Sequence, residues 1–159
     1  MSNENSFIFK NFFQTLNIIF IALFSGQTIY FFVGIFLIQS GDIDGFGGFN
    51  TIFMFITPVV VLSSILASKF IYSKQVAEFD KSLSLENKLV SYRTANIIKL
   101  ALLEGANIFN ISLMIITANY FFAALFIIII ALFFFNRPTK EKFIMDYEVS
   151  ADDALKLLV

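Results

Sequence analysis

One carboxylate stands in the middle of an apolar run, Glu104 in KLALLEGANIFNISLMIIT (99–117). At the centre of a membrane-crossing helix an ionised side chain costs about 2.5–3.5 kcal/mol on insertion scales. A residue kept there is expected to carry a proton, cation or substrate, or to stay protonated and bond a polar group across a helix interface. With roughly 100° of rotation per residue, Asn96, Asn107 and Asn110 share one helix face, with Lys99 and Thr117 on one margin and Glu104 on the other. Such a stripe must face protein or water. Lys99 and Glu104 are about 140° apart around the helix, a poor intrahelical ion pair, so Lys99 is expected to snorkel toward the nearer interface. An upstream apolar run supplies Ser25, Gln27, Thr28 and Tyr30 as hydrogen-bonding partners. Glu104, Asn107, Asn110, Lys99, Ser25 and Gln27 therefore form the candidate intramembrane polar site.

Other chemistry is excluded by what the chain lacks. It has no Cys and no His, which removes disulfides, thiol nucleophiles, imidazole bases and zinc sites built on those ligands. No grouping of carboxylates with Ser or Tyr replaces them, so the chain is expected not to be an enzyme and to hold no metal or cofactor. A net charge of −1 offers no basic surface for nucleic acid.

The elements that position these residues follow from hydrophobicity. Of the 159 residues, 58% are hydrophobic, 23 are Phe and only 14% are charged, a mixture that a water-soluble domain of this size could not bury. Runs near the 20 residues a helix needs to cross a bilayer fall at 16–38, 51–72, 95–117 and 120–136. The third and fourth are joined by the uncharged turn Thr117–Tyr120, and QSGDIDGFGGFN (39–50), with four of the seven glycines, reads as a flexible loop between the first and second. Pro58 should kink the second run, with Thr57 able to take up a freed backbone group and Ser63, Ser64, Ala67 and Ser68 as packing contacts.

All eleven basic residues lie before the first run (Lys10), from the end of the second into the third (Lys69, Lys74, Lys81, Lys88, Arg93, Lys99) or after the fourth (Arg137, Lys140, Lys142, Lys156). The positive-inside rule makes those regions cytoplasmic, so both termini are expected inside, in a membrane of the bacterial inner (plasma) type. The first run is too long for a cleaved signal and lacks a small-residue cleavage site, so it is expected to stay as an anchor.

The chain also repeats itself. Shifted by 79 positions, QTLNIIFIALFSGQTIY (14–30) matches RTANIIKLALLEGANIF (93–109) at eight of seventeen positions, Asn17/Asn96, Ala22/Ala101 and Gly26/Gly105 among them. Shifted by 66, SKQVAEFDKSLSLENKL (73–89) matches TKEKFIMDYEVSADDAL (139–155) at Lys74/Lys140, Asp80/Asp146, Ser84/Ser150 and Leu89/Leu155. The reading is a unit of two helices and an amphipathic cytoplasmic arm used twice, repeat one over 14–90 and repeat two over 93–159, within a single membrane domain. The expected fold is all-α: a four-helix membrane bundle of two tandem hairpins related by a pseudo-two-fold along the membrane normal. Ala22-x-x-x-Gly26 and Ala101-x-x-x-Gly105 are small-residue pairs that let helices approach closely, so the first and third runs are expected to cross there. In the arms, Ser84 and Ser150 should start helices, Ser150-Ala-Asp-Asp153 having capping-box spacing, and the first arm should run almost continuously into the third span.

The stretch ALLEGANIF (101–109) resembles the surroundings of the ion-binding carboxylate in rotary ATPase proteolipid subunits, whose larger members are tandem hairpin duplications. That resemblance implies Glu104 as an ion carrier. It covers about nine of the 159 residues. No span has that family's glycine-rich pattern, its polar Arg-Gln/Asn-Pro loop motif is missing, and the carboxylate here lies on the first helix of its hairpin.

The sequence thus leads to a small, non-enzymatic membrane subunit or interaction partner. Its partners would be the lipid bilayer and either further copies of itself or other members of a membrane complex. The alternative is a small transporter or ion- or proton-translocating subunit that uses Glu104, which four short spans would favour only as an oligomer.

Overall fold

In the computed structural model the apolar runs are helices, extended beyond their hydrophobic centres. The structure describes residues 2–41, 43, 45 and 50–158, with the side chains of 2–10, 156 and 158 excepted. The rest of the glycine-rich segment at 39–50, expected to be flexible, and the side chains of Lys10 and Lys156 lie outside the described residues. Among the described residues six helices follow in order: α1 (Ser2–Gln39), α2 (Asn50–Glu78), α3 (Leu85–Thr117), α4 (Phe121–Phe135), α5 (Lys140–Asp146) and α6 (Ala151–Leu158). No strand occurs among the described residues.

Three of these, Asn11–Gln39 within α1, α2 and α3, are each long and apolar enough to cross a membrane. α4 is the doubtful fourth for a geometric reason. Its 15 residues rise about 22 Å, short of a hydrocarbon core of roughly 30 Å. It reaches spanning length only together with α5, from which it is bent by 70°.

Large apolar side chains cover the outside of the spans, while several polar ones lie inside. Ile29, Phe32 and Phe36 on α1, Phe55, Val59, Leu62 and Phe70 on α2, and Ile127 and Phe135 on α4 are all exposed, while Gln27, Thr57, Asn107 and Asn110 are buried. This arrangement suits a surrounding medium that is itself apolar, where exposed rings cost nothing and exposed amides would.

α3 is the central element, packed against α2, α1 and α4, and α2 on α3 is the most extensive pairing. The first two helices, expected to pair as a hairpin, make little direct contact and instead each lean on α3. α1 and α3 meet at a position the repeat does not mark. Gly34 is buried, and a Cβ there would lie 2.8 Å from Ile115 Cγ1 and 3.0 Å from Met114 Cε. The chain reverses after α3 through Ala118, whose left-handed backbone (φ 49°) lets its N–H bond the Ile115 carbonyl. Asn119 Oδ1 then accepts from Phe121 N at 2.8 Å, and its Nδ2 donates to Asn50 Oδ1 at 2.7 Å, tying the start of α4 to that of α2. Gly45 closes this end, since a Cβ at that residue would stand 2.4 Å from the Thr117 carbonyl oxygen.

At the opposite end, where the basic residues gather, α5 and α6 fold back as a cap. Leu16, Leu89, Tyr92, Phe143, Tyr147 and Leu157 form one buried cluster. The Tyr92 hydroxyl donates to the Thr139 carbonyl at 2.9 Å and accepts from Thr139 N at 3.1 Å, pinning the start of α5 to α3. Thr139 and Ser150 each receive a backbone N–H three residues on, at Lys142 and Asp153, so each begins a helix. Ser84 does the same for α3, where its Oγ also accepts from Asn87 Nδ2 at 3.0 Å. Only the end of the first arm, from Leu85, runs unbroken into the third span, and 79–84 is non-helical between α2 and α3. The arm's leading half also differs from expectation, because 73–78 is the last turn and a half of α2.

Candidate functional site

The six candidate polar residues do not share one site. They divide into a sealed amide group, a carboxylate at an outer margin and a lysine at the basic end.

The amides are sealed because α3 turns them toward its neighbours. Asn107 Nδ2 donates to Gln27 Oε1 at 2.6 Å, joining α3 to α1, and both side chains are within 1% of full burial. One turn on, Asn110 Nδ2 donates to the Phe122 carbonyl of α4 at 2.8 Å. Each amide is only half satisfied: Gln27 Nε2, Asn107 Oδ1 and Asn110 Oδ1 have no protein partner. Thr57 Oγ1 is unpartnered too. The expectation that Thr57 would take up a backbone group freed by Pro58 is therefore not met, although α2 continues through the proline. Asn96, the first member of the stripe, turns back on its own helix, with Nδ2 donating to the Tyr92 carbonyl at 2.8 Å.

Glu104 lies elsewhere. Ile115, three turns further on and on nearly the same side of α3, abuts α1 at Gly34. Glu104 accordingly sits at the margin where α3 meets α1, half-buried, and no hydrogen bond or ion pair joins it to another described residue. Ser25, expected as its partner, is half-buried and makes no bond to it, and Gln27 is committed to Asn107. The small residues need a correction of the same kind. Ala22, Gly26, Ala101 and Gly105 are all exposed, and a Cβ on either glycine would meet nothing within 4 Å. α1 and α3 do not cross there. They are spaced at this level by Phe20, Leu23, Leu100 and Leu103, whose bulk keeps the small residues off the contact.

Lys99 is 5% exposed and does not reach out along the surface. Its Nζ stands 4.1 Å from the centre of the Tyr72 ring, a cation–π contact. It lines an open cleft of about 310 Å³ together with Lys69, Lys142, Asn136 and Asp146. The Tyr72 hydroxyl donates to Asp146 Oδ2 at 2.5 Å, and Lys142 Nζ donates to the Phe135 carbonyl at 3.0 Å, capping the end of α4. Sequence reading missed this cleft because its residues come from four separate segments. The one available signal was that Lys69, late in the second run, and Lys99, early in the third, both fall at the basic ends of their apolar runs.

Two carboxylates at this end are held by local contacts. Lys81 donates to Glu148, and that hydrogen bond with its attached charge holds the Glu148 carboxyl below the usual carboxylate range. Two hydrogen bonds from Ser82 lower Asp80 in the same way. Burial raises the Tyr147 hydroxyl, which is bonded to Ser91 Oγ at 3.0 Å.

Comparison with protein-family models, with curated proteins and with solved structures finds no match, the rotary ATPase proteolipids included.

Proposed function

We propose that this chain is a non-enzymatic integral membrane subunit that associates with another transmembrane element through the outer face of α1 and α3. The observation that carries this reading is the placement of Glu104. An intramembrane carboxyl without a partner is costly, and here exposed small residues adjoin it on α3 (Ala101, Gly105), with Ala22 and Gly26 exposed on α1, all open to close approach. A helix packed on that face would supply the hydrogen bond Glu104 lacks and would gain dispersion contacts against the bare backbone at Gly26 and Gly105. In this reading α1–α4 form a four-helix membrane unit, the two sequence repeats having diverged in packing, with the basic end and both termini in the cytoplasm of a bacterial-type inner membrane.

The absence of Cys from the sequence makes the test clean. Gly105→Cys should form a disulfide-linked product in native membranes, whereas Phe55→Cys, on the exposed face of α2, should not. A product of twice the chain mass identifies a second copy, and a different mass identifies a distinct partner. Glu104→Leu should abolish either product. Equal cross-linking at both positions, or none at either, overturns the interface. Ion- or proton-coupled flux in proteoliposomes that Glu104→Gln eliminates, with cross-linking unchanged, would replace the subunit reading by a translocating one. For orientation, reporters fused at Asp44 and at the C-terminus should appear outside and inside respectively, and an internal Asp44 overturns the topology.

A further inference from the structure

The cleft at the basic end is a second site, separate from the α1–α3 face. Three ammonium groups, Lys69, Lys99 and Lys142, line it against one carboxylate, Asp146. That carboxylate is already engaged by the Tyr72 hydroxyl. Lys99 is the telling member. Its side chain is nineteen-twentieths buried, yet no oxygen among the described residues accepts a hydrogen bond from its nitrogen, whose one partner is the face of the Tyr72 ring. Its ammonium faces the open cleft without a bonded protein anion, and an entering anion would gain charge-assisted bonds there.

The surroundings narrow the anion. Phe70 follows Lys69 directly, Phe135 precedes Asn136, and both rings are exposed, with Leu66 one turn earlier on α2 exposed as well. Exposed apolar side chains therefore adjoin, along the chain, the residues that line the cleft. We propose that this cleft binds the phosphodiester headgroup of an anionic phospholipid, with Lys99 and Lys69 on the phosphate, Asn136 as a neutral donor, and the acyl chains along Phe70 and Phe135. Lys142 contributes mainly its field, since two of its donors are directed to the Phe135 and Arg137 carbonyls. A free phosphate satisfies the lysines but makes no use of the exposed apolar residues beside them.

The test measures binding of short-chain phosphatidylglycerol, phosphatidylcholine and inorganic phosphate to the full chain in detergent. The wild type should prefer phosphatidylglycerol over phosphatidylcholine, and inorganic phosphate should not displace it at equal concentration. Lys99→Gln should weaken phosphatidylglycerol binding by about tenfold or more, as loss of a charge-assisted bond implies, and Lys99→Arg should restore most of it. Lys69→Gln, at an exposed position where folding is not at stake, should weaken binding by about fivefold. Lys74→Gln, on the exposed end of α2 outside the cleft, should change nothing. Equal affinity of the wild type and both Gln variants, or no preference between the two lipids, overturns the proposal. Displacement by inorganic phosphate at matched concentration transfers the site to a soluble anion and overturns the lipid assignment.

Discussion

Gln27 and Asn107 place two carboxamides face to face in a layer where neither can reach solvent, and each keeps one polar atom without a protein partner. Energetics at such a pair are asymmetric: losing one member strands the other, while losing both removes the whole cost of burial. Asn107→Leu should lower stability in detergent by about 1–2 kcal/mol, within the range of intramembrane hydrogen bonds and stranded polar groups. The double variant Gln27→Leu/Asn107→Leu should recover most of that loss. Thermal unfolding of the two singles and the double closes the cycle, and additive losses would show that the pair is not coupled. These amides were legible in the sequence, because a run of Asn on one helix face has nowhere to go but inward. Glu104 was legible as an anomaly but not in its placement. A helical wheel sets it on the margin of the Asn stripe, and only the packing of α1 shows that the margin stays unpartnered.

At the scale of the element, glycine carries opposite meanings in this molecule, and sequence alone does not separate them. Gly26 and Gly105 repeat in register and suggest a crossing, yet the Leu and Phe residues beside them hold α1 and α3 apart. Gly34 has no counterpart in the repeat, since Leu113 stands 79 positions on, yet α3 presses against α1 there. Gly45 sits within a segment that reads as slack loop, yet its backbone lies against the carbonyl that ends α3. Substitution by Ala should sort them. At Gly45 the added methyl meets backbone at 2.4 Å, and the resulting shift should cost about 1–3 kcal/mol, as overpacking does. At Gly26 or Gly105 the methyl meets nothing within 4 Å, so the isolated chain should gain up to about 1 kcal/mol from helix propensity. The same two substitutions should weaken association through the α1–α3 face. Unfolding of the isolated chain, set beside cross-linking in membranes, gives the two readouts. A stability loss at Gly26 matching that at Gly45 would mean that α1 and α3 do pack through it.

Taken whole, the molecule joins two bodies with different solvents: helices with apolar exteriors, and a cap at the basic end whose core is aromatic and whose surface is charged. The cap was the least legible part. Tyr92 lies in a different segment from Phe143 and Tyr147, which stand four apart, and what unites them is the 70° bend between α4 and α5, which returns α5 onto α3. Its response to pH should differ from that of the membrane helices. Glu148 and Asp80 have folded values below their ordinary ones, so the stability they add is present above the ordinary carboxylate value near 4. It is lost as pH falls through their lower folded values. Tyr147 is shifted upward by burial, so its contribution is complete below the ordinary value near 10 and disappears as pH rises through the higher one. The cap should therefore hold from about pH 5 to 9 and loosen on either side, while the helical content of α1–α3 stays constant because those helices are stabilised by packing. Near-ultraviolet circular dichroism of the buried tyrosines, followed against the far-ultraviolet signal, measures the two separately. Glu148→Gln should make the acid limb shallower without moving the alkaline one. Coincident loss of both signals in acid would show instead that cap and membrane helices unfold as a single unit.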